Sequence, residues 1–382
     1  MKTIAIDANE ANINQRLGVN VYAYELLQAI YKLQDIWKER FKFVVYLSRE
    51  AVADLPKEVS GVWEYKIIKG KGLWVLTKLL PHLLINPNKV SLLLSPSHYT
   101  VPFSFVPRVC SIMDLGYLKF SGQFKKIVYW QLKYWSAISI LVSKKILAIS
   151  EATSRDIVRH YPFASKKVVV TELGFDSSKF TSKVPHKDVR RIKERYNIVD
   201  DYILYLGTLK PNKNVEGLIE AFFNISSDFP RVMLVIAGKK GWMFENIFKK
   251  VKELGIEDRI IFTDFFPEED KAPLMAGAKV FATPSLWEGF GLIALEAMAC
   301  GTPVVVSNSA SFPEIVGSAG VLVDPKNPKS IADGITKVLN MSRKQYNSLR
   351  EKGLERAKMY SWEKTARKTL NVIDSLVYEK HI

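Results

Sequence analysis

The chain reads as an α/β protein of two doubly wound domains with parallel sheets, and three observations lead there. Its 382 residues are too many for one ordinary core. Residues 281–306, FATPSLWEGFGLIALEAMACGTPVVV, read as an apolar strand, a tight glycine turn, a helix and a second strand, the repeating unit of such a sheet. The order strand, loop, helix recurs at 2–30 and at 202–222, once in each half.

In chain order, residues 2–7 alternate small and branched residues and form a first strand. The polar stretch 8–20, containing Gly18, leads into a helix whose Tyr22, Leu26, Leu27 and Ile30 recur at helical spacing and cover the sheet. Residues 41–48 are the next strand. Residues 91–94 and 106–112 are short apolar runs suited to buried strands, and each ends in polar residues where open α/β sheets place their ligands. Ser97, His98, Tyr99 and Asp114 are therefore candidate site residues. Residues 146–150 form another strand, and Ser150 caps the helix that begins at Glu151. After a strand at 168–170, the polar, charged stretch 179–200 reads as a linker between domains at 1–178 and 201–360.

Two stretches of the first half mix aromatic residues with lysines. Residues 62–84 combine Trp63 and Trp74 with Lys66, Lys69, Lys71 and Lys78. Residues 119–145 carry six lysines and no acid, beside Phe124, Tyr129, Trp130, Tyr134 and Trp135. Two readings are open for the second stretch. A basic helix with aromatic edges lies on an anionic bilayer, or Ile127, Trp130, Tyr134 and Ile138 pack on the sheet and leave the lysines in solvent.

In the second half, residues 202–207 are a strand and TLKPNKN a loop, followed by a helix with Leu218, Ile219 and Phe222 on one face. A loop lysine here can reach an anion as a point charge, and Lys213 and Lys210 are placed to do so. Strands follow at 231–238, 259–262 and 280–282. In the turn after them, Gly289 and Gly291 let backbone N–H groups approach an anion, and the helix N-terminus adds unpaired donors. Glu288 and Glu296 frame that turn, which makes electrostatic sense when they bind neutral hydroxyls on either side of a phosphate. A sugar nucleotide has that layout. A strand at 303–306 and an amphipathic helix at 361–382, with Ser361 as its cap, complete the chain.

The hydrophobic fraction of 48% and charged fraction of 25% suit a globular protein. No apolar run approaches a transmembrane span, and the start of the chain reads as a strand and not as a signal peptide. Two cysteines, Cys110 and Cys300, each beside an apolar strand, point to reduced thiols in a cytoplasmic protein. The net charge of +16 is uneven: residues 1–175 hold 24 Lys and Arg against 13 Asp and Glu. A nucleotide donor needs only a few cations, so the excess implies a further acidic partner, either a membrane surface, an anionic glycan or nucleic acid.

The string from Pro284 through Glu288 and Glu296 to Gly301, Thr302 and Pro303 resembles the E-x7-E signature of the retaining glycosyltransferases of family four (glycosyl transferases group 1). The resemblance is strong over 202–325 and loose before 180. It implies the GT-B architecture, two facing Rossmann-like domains with the C-terminal helix crossing back to the first. It also implies that Glu296 holds the donor ribose, that Gly289, Phe290, Gly291 and Leu292 hold the diphosphate, and that Glu288 contacts the transferred sugar. Lys213 takes the place of the family's phosphate-binding lysine, in the loop that Thr208 begins. Gly18 lies opposite the donor phosphate, Ser150 lines the cleft, and residues 263–266 lie near the nucleobase. Relatives carry a His-Asp pair where this chain has Met113 and Asp114. Asp114 is thus the acceptor-side carboxylate, and His98 is the candidate to supply an imidazole.

The implied reaction moves a hexosyl group from a nucleotide diphosphate sugar to a glycan or lipid-linked acceptor with retention. The nucleotide sugar is a co-substrate; no cofactor is required, and the absence of an Asp-x-Asp pair predicts no obligatory metal. The implied setting is cell-envelope polysaccharide synthesis at the cytoplasmic face of a membrane. A sugar-nucleotide epimerase or phosphorylase on the same fold is the enzymatic alternative, while glycoside hydrolysis leaves the phosphate turn without a purpose. A nonenzymatic membrane or nucleic-acid binder is the remote alternative. Nucleic acid is disfavoured, because the charge sits away from the phosphate turn and no RNA-binding signature occurs.

Overall fold

The computed structural model describes residues 1–378 except 242 and 265. The last four residues of the expected terminal helix, and one position of the 263–266 stretch, lie outside the described residues. The chain divides into two compact units. The first comprises Met1–Gly174 together with the segment that begins at Trp362, and the second is Phe175–Ser361.

The first unit is built on a seven-stranded sheet of β1 (Lys2–Asp7), β2 (Phe41–Leu47), β3 (Trp63–Ile67), β4 (Val90–Ser95), β5 (Arg108–Ile112), β6 (Lys145–Ala148) and β7 (Val168–Val170), in the order β3-β2-β1-β4-β5-β6-β7. Every neighbouring pair is parallel; Ile4 stands opposite Phe43 on one side and Leu92 on the other. Parallel sheets are covered on both faces, which is why Ile4, Ala5 and Ile6 are all buried although they point alternately up and down. The helix Val19–Lys32 lays Tyr22, Leu26, Leu27 and Ile30 on the sheet, and the Tyr22 hydroxyl bonds Ser111 Oγ at 2.9 Å. The terminal helix Trp362–Tyr378 belongs to this unit. It buries Trp362, Ala366, Leu370 and Ile373, sets the Trp362 ring 6.2 Å from that of Tyr22, and ties Asp374 to Arg40 at 2.5 Å.

Packing decides where the aromatic residues of the two lysine-rich stretches lie. Residues 62–84 are not a basic aromatic surface: Trp63 lies within β3, fully buried, 5.2 Å from Tyr31, and Trp74 is buried with Nε1 donating to Ile68 O at 2.6 Å. In the helix Lys126–Val142, Tyr129 and Leu132 pack against the core of this sheet, but Trp130 and Tyr134 do not. Its buried face is Ser136, Ser139 and Ile140, whereas Ile127, Trp130, Tyr134 and Ile138 are exposed.

The second unit holds β8 (Asp201–Leu206), β9 (Val232–Ala237), β10 (Ile260–Asp264), β11 (Val280–Thr283), β12 (Val304–Ser307) and β13 (Val321–Val323), all parallel, in the order β10-β9-β8-β11-β12-β13. The strand order reverses between β8 and β11, and such a switch point is where doubly wound sheets bind ligands. The stretch expected to be a linker, 179–200, is instead part of this unit. It carries the helix His186–Arg195, whose Ile192 is buried. Its charges have a fixed partner: fully buried Asp270 accepts from Arg191 at 3.1 Å and Tyr196 Oη at 2.9 Å, and pairs with Arg195 at 2.9 Å.

Candidate functional site

The second unit gathers its predicted residues at the β8/β11 switch point. After β8 the chain passes Thr208 and turns through Lys213 to Asn214, whose left-handed backbone (φ 56°) precedes the helix Val215–Ser226. Asn214 Nδ2 donates to Pro284 O at 3.1 Å and Pro325 O at 2.6 Å, and Leu286 N–H donates to Asn212 O at 2.9 Å. These bonds stitch the lysine loop to the loop after β11, and they bring Lys213 Nζ into an ion pair with Glu288 Oε1. Ser285 Oγ donates to the same carboxylate oxygen at 3.1 Å, and Ser311 Oγ donates to Glu288 O at 3.0 Å.

The glycine turn then opens into the helix Leu292–Ala299. Gly291 sits at φ 89°, and a Cβ built there meets the Phe312 ring at 2.7 Å, so this position requires glycine on two counts. The Phe290 ring is buried edge-on against Tyr360, 5.7 Å between centroids, which leaves its backbone as the part available to a ligand. A helix N-terminus, a glycine turn that lets the backbone come close and a lysine are chemistry that can hold an anion.

Glu296, one turn into that helix, is buried and ion-paired to Lys271 Nζ at 2.7 Å. Burial pushes its carboxyl above the ordinary glutamate range, with the Lys271 ammonium pulling the other way. Burial likewise works against the charge of Lys271, but the Glu296 and Glu268 carboxylates more than offset it and hold the ammonium. The Phe180 ring lies 4.9 Å below Lys271. Sequence reasoning did not find Lys271 or Asn214. Neither sits in a motif, and only the folded loops bring them to the site.

The first unit gathers its own set along one sheet edge. Gly18 follows β1 at φ 56° and precedes the helix Val19–Lys32; His98 follows β4, Asp114 follows β5 and Ser150 follows β6, and these four strands are neighbours. Asp114 Oδ1 accepts from Gly116 N–H at 2.7 Å. Ser150 caps its helix by accepting from Thr153 N–H at 3.0 Å, and Thr153 Oγ1 in turn donates to Met113 O at 3.1 Å. The ring of half-buried His98 lies tilted against that of Tyr99, 4.2 Å between centroids, and burial holds its imidazole down at about 4. At neutral pH it is an uncharged hydrogen-bonding ring and not a proton acceptor of useful strength. Among the described residues, no three His, Cys, Asp or Glu side chains are grouped to hold a metal ion, and no helix is long and apolar enough to cross a membrane.

Residues 186–356 match the family model described as glycosyl transferases group 1. The chain is 35% identical over 235 residues to the O-antigen chain mannosyltransferase B of Escherichia coli, a match over 60% of this chain and 60% of that protein. The aligned part is thus under two thirds of that relative's length. Its fold is similar to that of a sucrose-phosphate synthase from Thermosynechococcus elongatus, with a TM-score of 0.72 at 19% identity over 98% of this chain and 99% of the other. Anabaena Alr3699/HepE, solved in complex with UDP and glucose, is similar at a TM-score of 0.72 and 17% identity, over 98% and 100% of the two chains.

Proposed function

This chain belongs, through residues 186–356, to the glycosyl transferases group 1 family and has the GT-B fold, and on that premise we propose that it transfers a hexosyl group from a nucleotide diphosphate sugar to a glycan or lipid-linked acceptor with retention. The observation that carries this reading is the convergence of the Gly291 turn, a helix N-terminus and Lys213 on one anion site, with Glu288 and Glu296 beside it. The E. coli relative is an O-antigen chain mannosyltransferase, which supports mannose as the hexose and a growing polysaccharide as the acceptor.

Cleavage of the donor develops positive charge on the anomeric carbon and negative charge on the leaving diphosphate. Fixed donors and a lysine aimed at that diphosphate stabilise the transition state without reorganising. The diphosphate competes with Glu288 for the Lys213 ammonium, so donor binding releases the Glu288 carboxylate to the hydroxyls of the transferred sugar. Glu296 accepts from the ribose hydroxyls. On the first unit's edge, Asp114 and neutral His98 orient the acceptor hydroxyl by hydrogen bonding, and its proton goes to the leaving phosphate on the same face. The reaction requires no separate cofactor.

The test is a thermal-shift panel of mannosyl and glucosyl nucleotides on the unmodified protein and Glu296→Ala. A matching donor at ~100 Kd stabilises by about 2.7 kcal/mol. One donor stabilising the unmodified protein but not the variant supports the reading. If no nucleotide sugar shifts either protein, donor binding fails and the transferase reading with it. Turnover of the nucleotide sugar without an acceptor favours the epimerase or phosphorylase alternative.

A further inference from the structure

The helix Lys126–Val142 carries apolar residues on its outward face as well as on its inward one. Ile127, Trp130, Tyr134, Ile138 and Leu141 recur along one face, and they are exposed: Ile127 by 77%, Tyr134 by 60%, Leu141 by 59%. The face turned to the sheet carries Tyr129, Leu132 and Ile140 beside the buried Ser136 and Ser139. The outward face of a surface helix in a globular domain is ordinarily charged or polar. The apolar stripe runs about 21 Å, most of the length of the helix. Thr100 N–H donates to Ser139 Oγ at 3.2 Å, which ties the following loop to this helix, and that loop displays Phe103 and Phe105, the latter 92% exposed.

The charges around the stripe are of one sign. No acid occurs between Asp114 and Glu151. Lys125 and Lys126 stand at the helix N-terminus, whose first turn holds no acid, and Lys133 Nζ lies 4.9 Å over the Trp130 ring. Two cations at the positive end of a helix dipole destabilise it, and no residue of that first turn offsets them. An external anion does so.

We propose that this face is a docking surface for an anionic phospholipid bilayer, with the helix lying in the interface plane. Trp130, Tyr134 and the aliphatic side chains enter the boundary of headgroups and acyl chains, and the lysines meet lipid phosphates. Charge complementarity selects this occupant, because a second copy of the chain would bring the same lysines against these. The surface uses none of the residues assigned to donor binding, so its test does not depend on transfer.

The experiment is flotation of the full chain with vesicles of equal phosphatidylcholine and phosphatidylglycerol, or of phosphatidylcholine alone. The expected result is flotation with the anionic vesicles only, weakened by salt. Ile127→Gln combined with Tyr134→Gln and Ile138→Gln lowers the partition coefficient about ten-fold or more, and Lys125→Gln with Lys126→Gln lowers it about five-fold per lysine. All five positions are exposed, and unchanged thermal melting of both variants checks the fold. The proposal is overturned if the protein stays in the aqueous layer with anionic vesicles, or if the apolar variant floats like the unmodified protein. It is also overturned if double-stranded DNA retains both equally while vesicles retain neither, or if the apolar substitutions only convert a dimer to a monomer.

Discussion

A carboxylate buried beside an ammonium stays ionised only while both are present, and Glu296 depends on Lys271 in this way. Lys271→Met leaves an uncompensated buried acid and costs about 3 to 5 kcal/mol of stability. Its glutamate protonates more readily, so donor affinity at neutral pH falls and recovers as pH is raised. Lys271→Met with Glu296→Gln restores much of the stability but not the affinity. Chemical denaturation and isothermal titration at two pH values check both statements; a single Lys271→Met protein that binds donor normally at neutral pH sinks the positioning role. Asp7, at the carboxyl end of β1, supplies a second pH effect. Burial lifts its carboxyl from 3.8 to about 6, against the Asn9 donors that lower it. A raised acid means that the native state holds a proton which the unfolded chain has released, so stability falls as pH rises from about 4 to 6. The shift corresponds to about 3 kcal/mol. Asp7→Asn removes that decline, and unfolding free energies at about pH 4.5 and about pH 7.5 measure it.

At the scale of elements, the glycine turn was legible because its requirement is local: strand, turn and helix follow one another within a few residues. Gly291→Ala must adopt φ 89° with a side chain and push against Phe312. The two effects together cost about 2 to 4 kcal/mol, and the nucleotide-sugar thermal shift is lost. Gly255→Ala is the control. It also has positive φ, 63°, but nothing stands within 4 Å of its Cβ, so it costs about 1 kcal/mol and leaves the thermal shift intact. The stretch 179–200 was not legible. Arg191 and Arg195 read as solvated charges because their partner, buried Asp270, lies far along the chain. The helix Lys126–Val142 was ambiguous for a related reason, since apolar residues at helical spacing define a face but not what it meets.

At the scale of the molecule, the chain leaves the first unit after Gly174 and rejoins it at Trp362. A chain ended at Ser361 therefore strips that unit of Trp362, Leu370 and Ile373, each worth about 1.5 to 3 kcal/mol when buried. The loss approaches the whole stability of an ordinary domain, about 5 kcal/mol at the low end. Hydrogen exchange on the shortened chain is expected to show the first unit's amides unprotected and those of Phe175–Ser361 unchanged. Equal protection of both units would falsify the assignment of the terminal helix to the first unit's core.

The sequence by itself determined the two doubly wound sheets, the strands that carry candidate residues at their carboxyl ends, and the glycine turn framed by two glutamates. Each follows from periodicity or from neighbours within a few residues, where backbone geometry decides the outcome. Only the tertiary structure decided that Lys213 pairs with Glu288, that Lys271 neutralises Glu296, that Trp63 is core and that Trp130 is not. Those outcomes depend on which distant side chains share a small volume. Burial and charge pairing are properties of that shared space and leave no period in the chain.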